Sequence, residues 1–156
     1  MKKRIDIISY YLNIAEEVAS RSTCLKRKYG AVIVNNERII STGYNGAPRG
    51  IENCIDCDKC TKEGCKRGTN YENCIAVHAE QNAIICNSRQ DMLGASLFLV
   101  GLEANGSYVE NPQPCCLCKR MMKNAGIKYV YIRKNKNTYL VQSVDYYKKD
   151  DLLGGY

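Results

Sequence analysis

Two short motifs constrain this chain more than any other feature, because together they carry the ligands of one metal ion. The first is His78-Ala79-Glu80, and the second runs from Pro114 through Cys115 to Cys118. An imidazole and two thiolates are ligands that Zn²⁺ prefers, and catalytic zinc sites use three protein ligands and leave the fourth position to water. The fold must therefore bring together two segments that are far apart in the chain.

Glu80 is a carboxylate next to the predicted ligands and is not itself required as a metal ligand. Such a group can accept the proton of a zinc-activated water molecule and pass it on. His78 and Glu80 point in different directions on an ideal helix, so we expect this pair at the entry to a helix. Cys115 and Cys118 are one helical turn apart, and Pro114 favours a helix start at the same place.

The composition is ordinary for one soluble domain that buries its own core. The chain has 156 residues, of which 45% are hydrophobic and 25% charged, and no apolar run approaches the roughly 18 residues of a membrane span. The basic start resembles a secretion signal, but polar residues interrupt the stretch that follows it, at Asp6, Asn13, Glu16 and Glu17. We therefore expect one domain over residues 1–156, located in the cytoplasm.

Cysteine content and charge are compatible with two classes of function, an enzyme that binds a phosphorylated ligand and a non-enzymatic module that binds nucleic acid. Ten cysteines fall short of the roughly 8–10% that marks a disulfide scaffold, and without a secretion signal clustered thiols more often bind metal. The formal net charge of +7 suits a phosphorylated ligand and equally an ordinary basic surface. A zinc-stabilised module that binds nucleic acid without catalysis is compatible with both features. Glu80 argues against it, because a structural site needs no acid beside its histidine.

Hydrophobic periodicity predicts alternating helices and strands, which is typical of a layered α/β domain. The predicted helices cover residues 4–20, 77–87, 115–125 and 143–152. The predicted strands form a hairpin over residues 30–43, with its turn at Asn35-Asn36, and continue at 96–101, 128–133 and 138–141. Residues 44–75 have little periodicity, and a loop of this length inside a domain is expected to be functional or held by a metal.

Further segments extend the two motifs into a resemblance to a known family. Residues 22–24, 30–34, 40–48, 78–84, 114–118 and 125–127 together resemble deoxycytidylate (dCMP) deaminases of the cytidine/deoxycytidylate deaminase superfamily, over residues 4–133. The pattern His-x-Glu with Pro-Cys-x-x-Cys is typical of zinc-dependent nucleobase deaminases in general, whereas the segment Gly43-Tyr-Asn-Gly-Ala-Pro48 narrows it to the dCMP branch. The resemblance implies a three-layer α/β/α fold around a central five-stranded mixed sheet.

The resemblance also implies an activity, which is hydrolysis of dCMP to dUMP and ammonia in pyrimidine deoxynucleotide metabolism. Zinc would be held by His78, Cys115 and Cys118, and Glu80 would bind ring N3 and move the proton. The substrate would also meet Ala79, whose backbone lies near the pyrimidine, and Asn45, which holds the sugar hydroxyl. Other zinc-dependent deaminases, acting on CMP, on dCTP or on adenosine in transfer RNA, remain alternatives.

Regulation and assembly follow from the same resemblance. Members of this family are activated by dCTP and inhibited by dTTP, at a subunit interface of a hexamer. For this chain the resemblance implies a homo-oligomer whose effector site lies in the neighbourhood of Tyr44, Asn45 and Gly46. No membrane partner is expected, and nucleic acid is not expected as a ligand.

A second, structural zinc is implied for the cysteine-rich insert at about residues 50–76. The resemblance gives its ligands as Cys24, Cys54, Cys60 and Cys74. Two further cysteines have zinc-ligand spacings and remain alternates, Cys57 and Cys65, and a set of free thiols is the other interpretation. Cys86 and Cys116 lie on predicted helices and are interpreted as packing residues.

Two features of the sequence leave the substrate open. A phosphate group needs cationic donors, and the candidates, each of which also suits an ordinary surface, are Lys26, Arg27, Lys28, Arg49, Arg133 and Lys134. The chain departs from the family at residues 104–113, an additional polar stretch before Pro114. This stretch is expected to lengthen a substrate loop or to alter an oligomer contact.

Overall fold

A mixed five-stranded sheet organises the computed structural model, which describes residues 3–154. The strands are β1 (Arg27–Asn35), β2 (Arg38–Tyr44), β3 (Ser96–Glu103), β4 (Tyr129–Arg133) and β5 (Tyr139–Ser143). Their order across the sheet is β2-β1-β3-β4-β5, with β3 and β4 parallel and all other neighbours antiparallel. The helices are α1 (Ile7–Ala19), α2 (Cys54–Cys57), α3 (Ala79–Ile85), α4 (Arg89–Met92) and α5 (Cys116–Ala125).

Both faces of the sheet are buried, which explains why the central strands are almost continuously apolar. Side chains alternate between the faces along each strand. Ala31 and Ile33 of β1 pack in one core with residues of α3 and α5, whereas Val32 and Val34 pack in a second core with α1. The expected three-layer α/β/α arrangement is therefore confirmed.

The β1–β2 hairpin turns one residue later than the sequence predicted. Asn35 pairs with Arg38, so the turn is Asn36-Glu37, whose φ angles of 48° and 60° are those of a type I′ turn. Asparagine tolerates this left-handed conformation at position 35 as well as at position 36. The sequence alone therefore did not determine which two residues form the turn. The Tyr11 hydroxyl of α1 donates to the Glu37 carbonyl at 2.9 Å and holds the turn in place.

The predicted C-terminal helix over residues 143–152 is wrong. The segment forms two 3₁₀ turns, Val144–Tyr146 and Asp150–Leu152. Val144 is inserted into the core with an exposed fraction of 1%, and Lys123 of α5 donates to the carbonyl oxygens of Val144 and Asp145 at 3.2 and 3.3 Å. These tertiary contacts replace the backbone bonds that a continuous helix would make.

The other differences are in boundaries and in two short helices. The α1 helix begins at Ile7 and not at residue 4, because the Asp6 side chain accepts from the Ser9 amide at 2.9 Å as an N-cap. Strand β3 continues two residues beyond the prediction, and the short helices α2 and α4 were not predicted. None of the helices between residues 3 and 154 has the length and apolar character that a membrane crossing requires.

Two glycines let helices approach the sheet closely. A Cβ atom at Gly30 of β1 would overlap the Ala15 carbonyl oxygen of α1, and a Cβ at Gly43 of β2 would overlap the Ala79 carbonyl oxygen of α3. In both cases the obstacle is backbone, which cannot move aside as a flexible side chain can. Gly43 thereby sets the distance between the sheet and the helix that follows His78.

We expect Gly30→Ala to lower the free energy of unfolding by about 1–3 kcal/mol, since the added methyl group forces α1 away from β1. Urea unfolding followed by circular dichroism measures this. The control is Thr42→Ala on an exposed position of β2, which should change stability by no more than about 0.5 kcal/mol. A Gly30→Ala protein as stable as the wild type would contradict the close packing.

Candidate active site

Two helix N-termini meet where the two sequence motifs lie. His78 is the N-cap of α3, and its backbone amide donates to Oε1 of Gln81 at 2.8 Å. Cys115 is the N-cap of α5, and its sulfur accepts from the Cys118 amide at 3.4 Å. Because an N-cap has extended backbone angles, the His78 ring and the Glu80 carboxyl reach the same cleft, as the sequence predicted.

The three predicted catalytic ligands have the spacing of a zinc site. Nδ1 of His78 lies 3.4 Å from the sulfur of Cys115 and 3.4 Å from the sulfur of Cys118. Tetrahedral Zn²⁺ with a Zn–S distance of about 2.3 Å and a Zn–N distance of about 2.0–2.1 Å would separate sulfur from nitrogen by roughly 3.5 Å. The residues fit the ion. Within residues 3–154 no other three His, Cys, Asp or Glu side chains bring their ligand atoms within 4.8 Å of one another.

The two thiols behave as a coupled pair with one easily lost proton. The hydrogen bond with Cys118, helped by His78, lowers the pKa of Cys115 to about 4 although burial opposes this. The same hydrogen bond, together with burial, raises the pKa of Cys118. The second proton is therefore held tightly unless a cation takes its place, which is the behaviour of a thiolate metal site.

Glu80 is a buried carboxyl beside this pair, with an exposed fraction of 4%. Burial raises the pKa of Glu80, and the neighbouring His78 opposes the shift. Desolvation disfavours the charged form of a carboxyl, so Glu80 holds a proton more readily than an exposed glutamate does. A group of this kind is suited to receiving a proton and releasing it again.

The cleft in front of these residues has a volume of about 600 Å³. His78, Ala79, Glu80 and Cys115 line one part of it. The basic side chains that line it are Lys26, Arg27, Lys62, Lys66 and Arg67, against the carboxylates of Glu80 and Glu103. Since Arg27 pairs with Glu103 at 3.1 Å, the remaining cations give the cleft an excess of positive charge.

Most of these cations were missed from the sequence. Lys26 and Arg27 were among the phosphate candidates and do line the cleft, but Lys28, Arg49, Arg133 and Lys134 do not. Arg133 is instead buried and pairs with Glu16 of α1 at 2.8 Å. Lys62, Lys66 and Arg67 were not considered, although the alternation of basic residues with cysteines in the insert was a usable signal.

Asn45 lines the cleft, and most hydrogen-bonding groups of its side chain are already paired with other residues of the fold. Its Oδ1 atom accepts from the Ser22 hydroxyl at 2.6 Å and from the Tyr29 amide at 2.8 Å, and its Nδ2 donates to the Arg27 carbonyl at 2.9 Å. One N–H of the amide remains for a ligand. The expected contact with a sugar hydroxyl, like the contact of the Ala79 backbone with the pyrimidine, stays a prediction.

The neighbouring segment is joined directly to the metal-binding motif. Gly46 and Val77 exchange backbone hydrogen bonds at 2.8 and 3.2 Å, and the Tyr44 carbonyl accepts from Nδ2 of Asn82 at 2.8 Å. A ligand held near Tyr44 and Gly46 would therefore act on the residue that precedes His78. The effector site expected there stays a prediction.

The cysteine-rich insert gathers most of its thiols around Cys54. Burial raises the pKa of Cys54, and so do four neighbouring thiols, which belong to Cys24, Cys57, Cys60 and Cys74. Cys65 is not among them. All ten cysteines lie within the described residues and are free thiols, and Cys116 is buried whereas Cys86 is exposed, so the packing role expected for Cys86 is wrong.

Comparison with known proteins identifies the family. The sequence model described as the cytidine and deoxycytidylate deaminase zinc-binding region matches residues 6–134. The chain belongs to this family. The deoxycytidylate deaminase of Mycobacterium phage D29 is 35% identical over 135 residues, which cover 84% of this chain and 97% of the phage protein.

Two more relatives show how widely the similarity extends. The deoxycytidylate deaminase of Schizosaccharomyces pombe is 34% identical over 131 residues, which cover 83% of this chain and only 37% of the yeast protein. The crystal structure of dCMP deaminase from the cyanophage S-TIM5 in complex with dCMP and dUMP superposes with a TM-score of 0.61 at 30% identity. That match covers 85% of this chain and 84% of the cyanophage chain.

We expect Cys118→Ser to lose about one equivalent of zinc per chain, because a serine hydroxyl does not replace a buried thiolate ligand. Elemental analysis of protein purified under reducing conditions measures the zinc content. The matched control is Cys86→Ser, an exposed cysteine outside the site, which should keep the wild-type zinc content. Unchanged zinc in Cys118→Ser would contradict the assignment of this ligand.

Proposed function

We propose that the chain catalyses the zinc-dependent hydrolytic deamination of dCMP to dUMP and ammonia. One observation carries the proposal, which is that the buried carboxyl of Glu80 adjoins a three-ligand site with zinc spacing in a cleft rich in positive charge. The relatives support the choice of substrate. Those from phage D29 and S. pombe are deoxycytidylate deaminases, and the cyanophage enzyme binds both dCMP and dUMP.

The chemistry is divided between the metal and one carboxyl group. Zinc held by His78, Cys115 and Cys118 would lower the pKa of a water molecule toward neutrality and so supply the nucleophile for C4 of the base. Glu80 takes a proton from this water and gives a proton to N3, so that the ring accepts the electron pair of the C4–N3 bond. The same carboxyl would next take the remaining proton of the added hydroxyl and give it to the exocyclic amine; the bond between C4 and that nitrogen breaks, ammonia leaves, and C4 keeps the oxygen as a carbonyl.

The basic part of the cleft is the place for the 5′-phosphate of the nucleotide. Lys26, Lys62, Lys66 and Arg67 bring positive charge there, and Arg67 is anchored by a bond from Nη1 to the Glu110 carbonyl at 3.0 Å. Arginine offers two parallel donors to a phosphate, and lysine a mobile charge. The free N–H of Asn45 suits a sugar hydroxyl between the phosphate and the base.

A second, structural zinc in the insert is part of the proposal. Cys24, Cys57, Cys60 and Cys74 are near enough to Cys54 to raise its pKa, and a bound zinc ion would draw four of these sulfurs together, since no three of them lie within 4.8 Å of one another in the described residues. The sulfur of Cys57 donates to two carbonyl oxygens of its own loop, at 3.6 and 3.8 Å, which favours Cys24, Cys54, Cys60 and Cys74 as ligands. Cys57 and Cys65 remain alternates, and a wild-type content of about one zinc per chain would refute the second site.

Organisation, location and regulation are also part of the proposal. Free thiols throughout the described chain agree with a reducing compartment such as the cytoplasm. A single deaminase domain over residues 1–156, with its insert at about 50–76, agrees with the one sheet and its two cores. Assembly into a homo-oligomer and control by dCTP and dTTP stay predictions of the family resemblance.

We expect Glu80→Gln to lower kcat by about 10²–10⁴-fold, the usual contribution of general acid–base catalysis, while zinc content stays at the wild-type level. Ammonia release and elemental analysis of the same preparation test both statements. Glu17→Gln, at an exposed position of α1, is the matched control and should keep full activity. A Glu80→Gln enzyme with near-normal turnover would remove the proton-transfer role from this residue.

We expect the highest kcat/KM for dCMP in a panel that also contains CMP, dCTP and transfer RNA, because the relatives of this chain are deoxycytidylate deaminases. Ammonia release with each substrate measures the preference. Deamination of adenosine in transfer RNA alone would refute dCMP as substrate, and nucleic-acid binding with no ammonia from any substrate would refute catalysis.

A further inference from the structure

The additional segment at residues 104–113 ends in a side chain that faces the active site. Gln113 lines the cleft, directly before the Pro114-Cys115 entry to α5. Its Oε1 atom accepts a hydrogen bond from Nε2 of Gln142 on β5 at 2.8 Å. Within residues 3–154 no group accepts a hydrogen bond from Nε2 of Gln113, so the two N–H groups of this amide are available to a ligand in the cleft.

A third residue extends this row of hydrogen bonds. The Tyr147 hydroxyl donates to Oε1 of Gln142 at 2.7 Å, since a carbonyl oxygen can only accept. Nε2 of Gln142 in turn donates to the oxygen of Gln113. This order of donors uses the oxygen of Gln113 and leaves its two N–H groups, on a residue that lines the cleft, for a ligand.

The residues of this chain of hydrogen bonds are held firmly. The turn before Tyr147 is fixed by Val144, which is buried and whose amide donates to the Lys128 carbonyl at 2.9 Å. Val109 is also buried and bonds to the Gly101 carbonyl at 3.0 Å, which folds the additional segment back onto β3. Gln113 itself stands between Pro112, whose own φ angle is fixed, and Pro114, which restricts the backbone of Gln113.

We propose that Gln113 is a substrate-binding residue that donates an N–H to the ring carbonyl O2 of the pyrimidine, and that Gln142 and Tyr147 are positioning residues that set the direction of its amide. The proposal rests on the proposed function. Gln113 lines the cleft two residues before the zinc ligand Cys115, and Glu80, which lines the same cleft, is assigned to N3, next to O2. A donor there complements a carbonyl oxygen, whereas the amino group at C4 would require an acceptor.

Two variants test the donor and its direction. Gln113→Met removes the amide at similar size, and we expect kcat/KM for dCMP to fall roughly three- to tenfold, as for one lost hydrogen bond, mainly through a higher KM. Gln142→Glu leaves Gln113 intact but offers only acceptors, so the Gln113 amide turns its oxygen to the cleft. A similar rise in KM is expected, with the thermal midpoint of each variant recorded.

The double variant separates positioning from stability. If Gln142 acts through Gln113, Gln142→Glu has no further effect on kcat/KM once Gln113→Met is present, whereas independent roles give losses that multiply. Tyr147→Phe removes the hydroxyl donor at nearly constant shape and should give a smaller rise in KM. This variant tests the positioning role if Gln142→Glu does not fold. Gln90→Met, exposed on α4, is the control and should match the wild type.

Each outcome decides a different statement. Wild-type kinetics in Gln113→Met would overturn the substrate contact, and multiplying losses in the double variant would overturn the positioning role. A loss confined to kcat with unchanged KM would also overturn the O2 contact, because that carbonyl is present in substrate and product alike. A wild-type protein that holds zinc but releases no ammonia from dCMP would refute the proposed function and this inference with it.

Discussion

The structure depends on one cation site that joins the first turns of two helices. His78 precedes α3 and Cys115 precedes α5, and both helices pack on the same face of the sheet. With an imidazole nitrogen 3.4 Å from each of two buried sulfurs, this junction is costly unless a positive ion compensates the thiolates. The cation therefore contributes both to folding and to catalysis, and the placement of Glu80 follows from the same junction.

The parts of the protein that the sequence predicted are those whose chemistry or pattern has few alternatives. Ligand residues such as His78 and Cys118 are specific for one kind of site, and Glu80 has no structural reason to stand beside them. The central strands could be identified because β1 and β3 are buried on both faces, so their apolar runs are continuous. Helix α5 was bounded by its own signals, a Pro-Cys entry and Gly126 at its end, where φ is 85°.

What the sequence did not predict depends on contacts between distant segments. The hairpin turn is fixed by Tyr11, and the C-terminal 3₁₀ turns by Lys123, and neither side chain is near its target in sequence. The same holds for Gln113, whose amide oxygen accepts from Gln142 of β5. Local propensity and periodicity carry no information about such pairs, so the metal site was predictable and much of the surrounding cleft was not.

The two ends of the cleft differ in what holds them. The end of the cleft at His78 and Glu80, where the pyrimidine base would react, is built on helices and strands that share a packed core. Its geometry is therefore fixed by apolar burial. The positively charged end of the cleft, at Lys62, Lys66 and Arg67, comes largely from the insert. Ile51, Ile55 and Ile75 of the insert are 57%, 46% and 39% exposed, so they form no apolar core that could hold the loop. Loops without a core gain order from metal ligands, so the structural zinc that we propose would link the thiols near Cys54 energetically to the cations beside them. It would thereby prepare the cleft for the proposed phosphate contact, whereas the chemistry at Glu80 depends on the site formed by His78, Cys115 and Cys118.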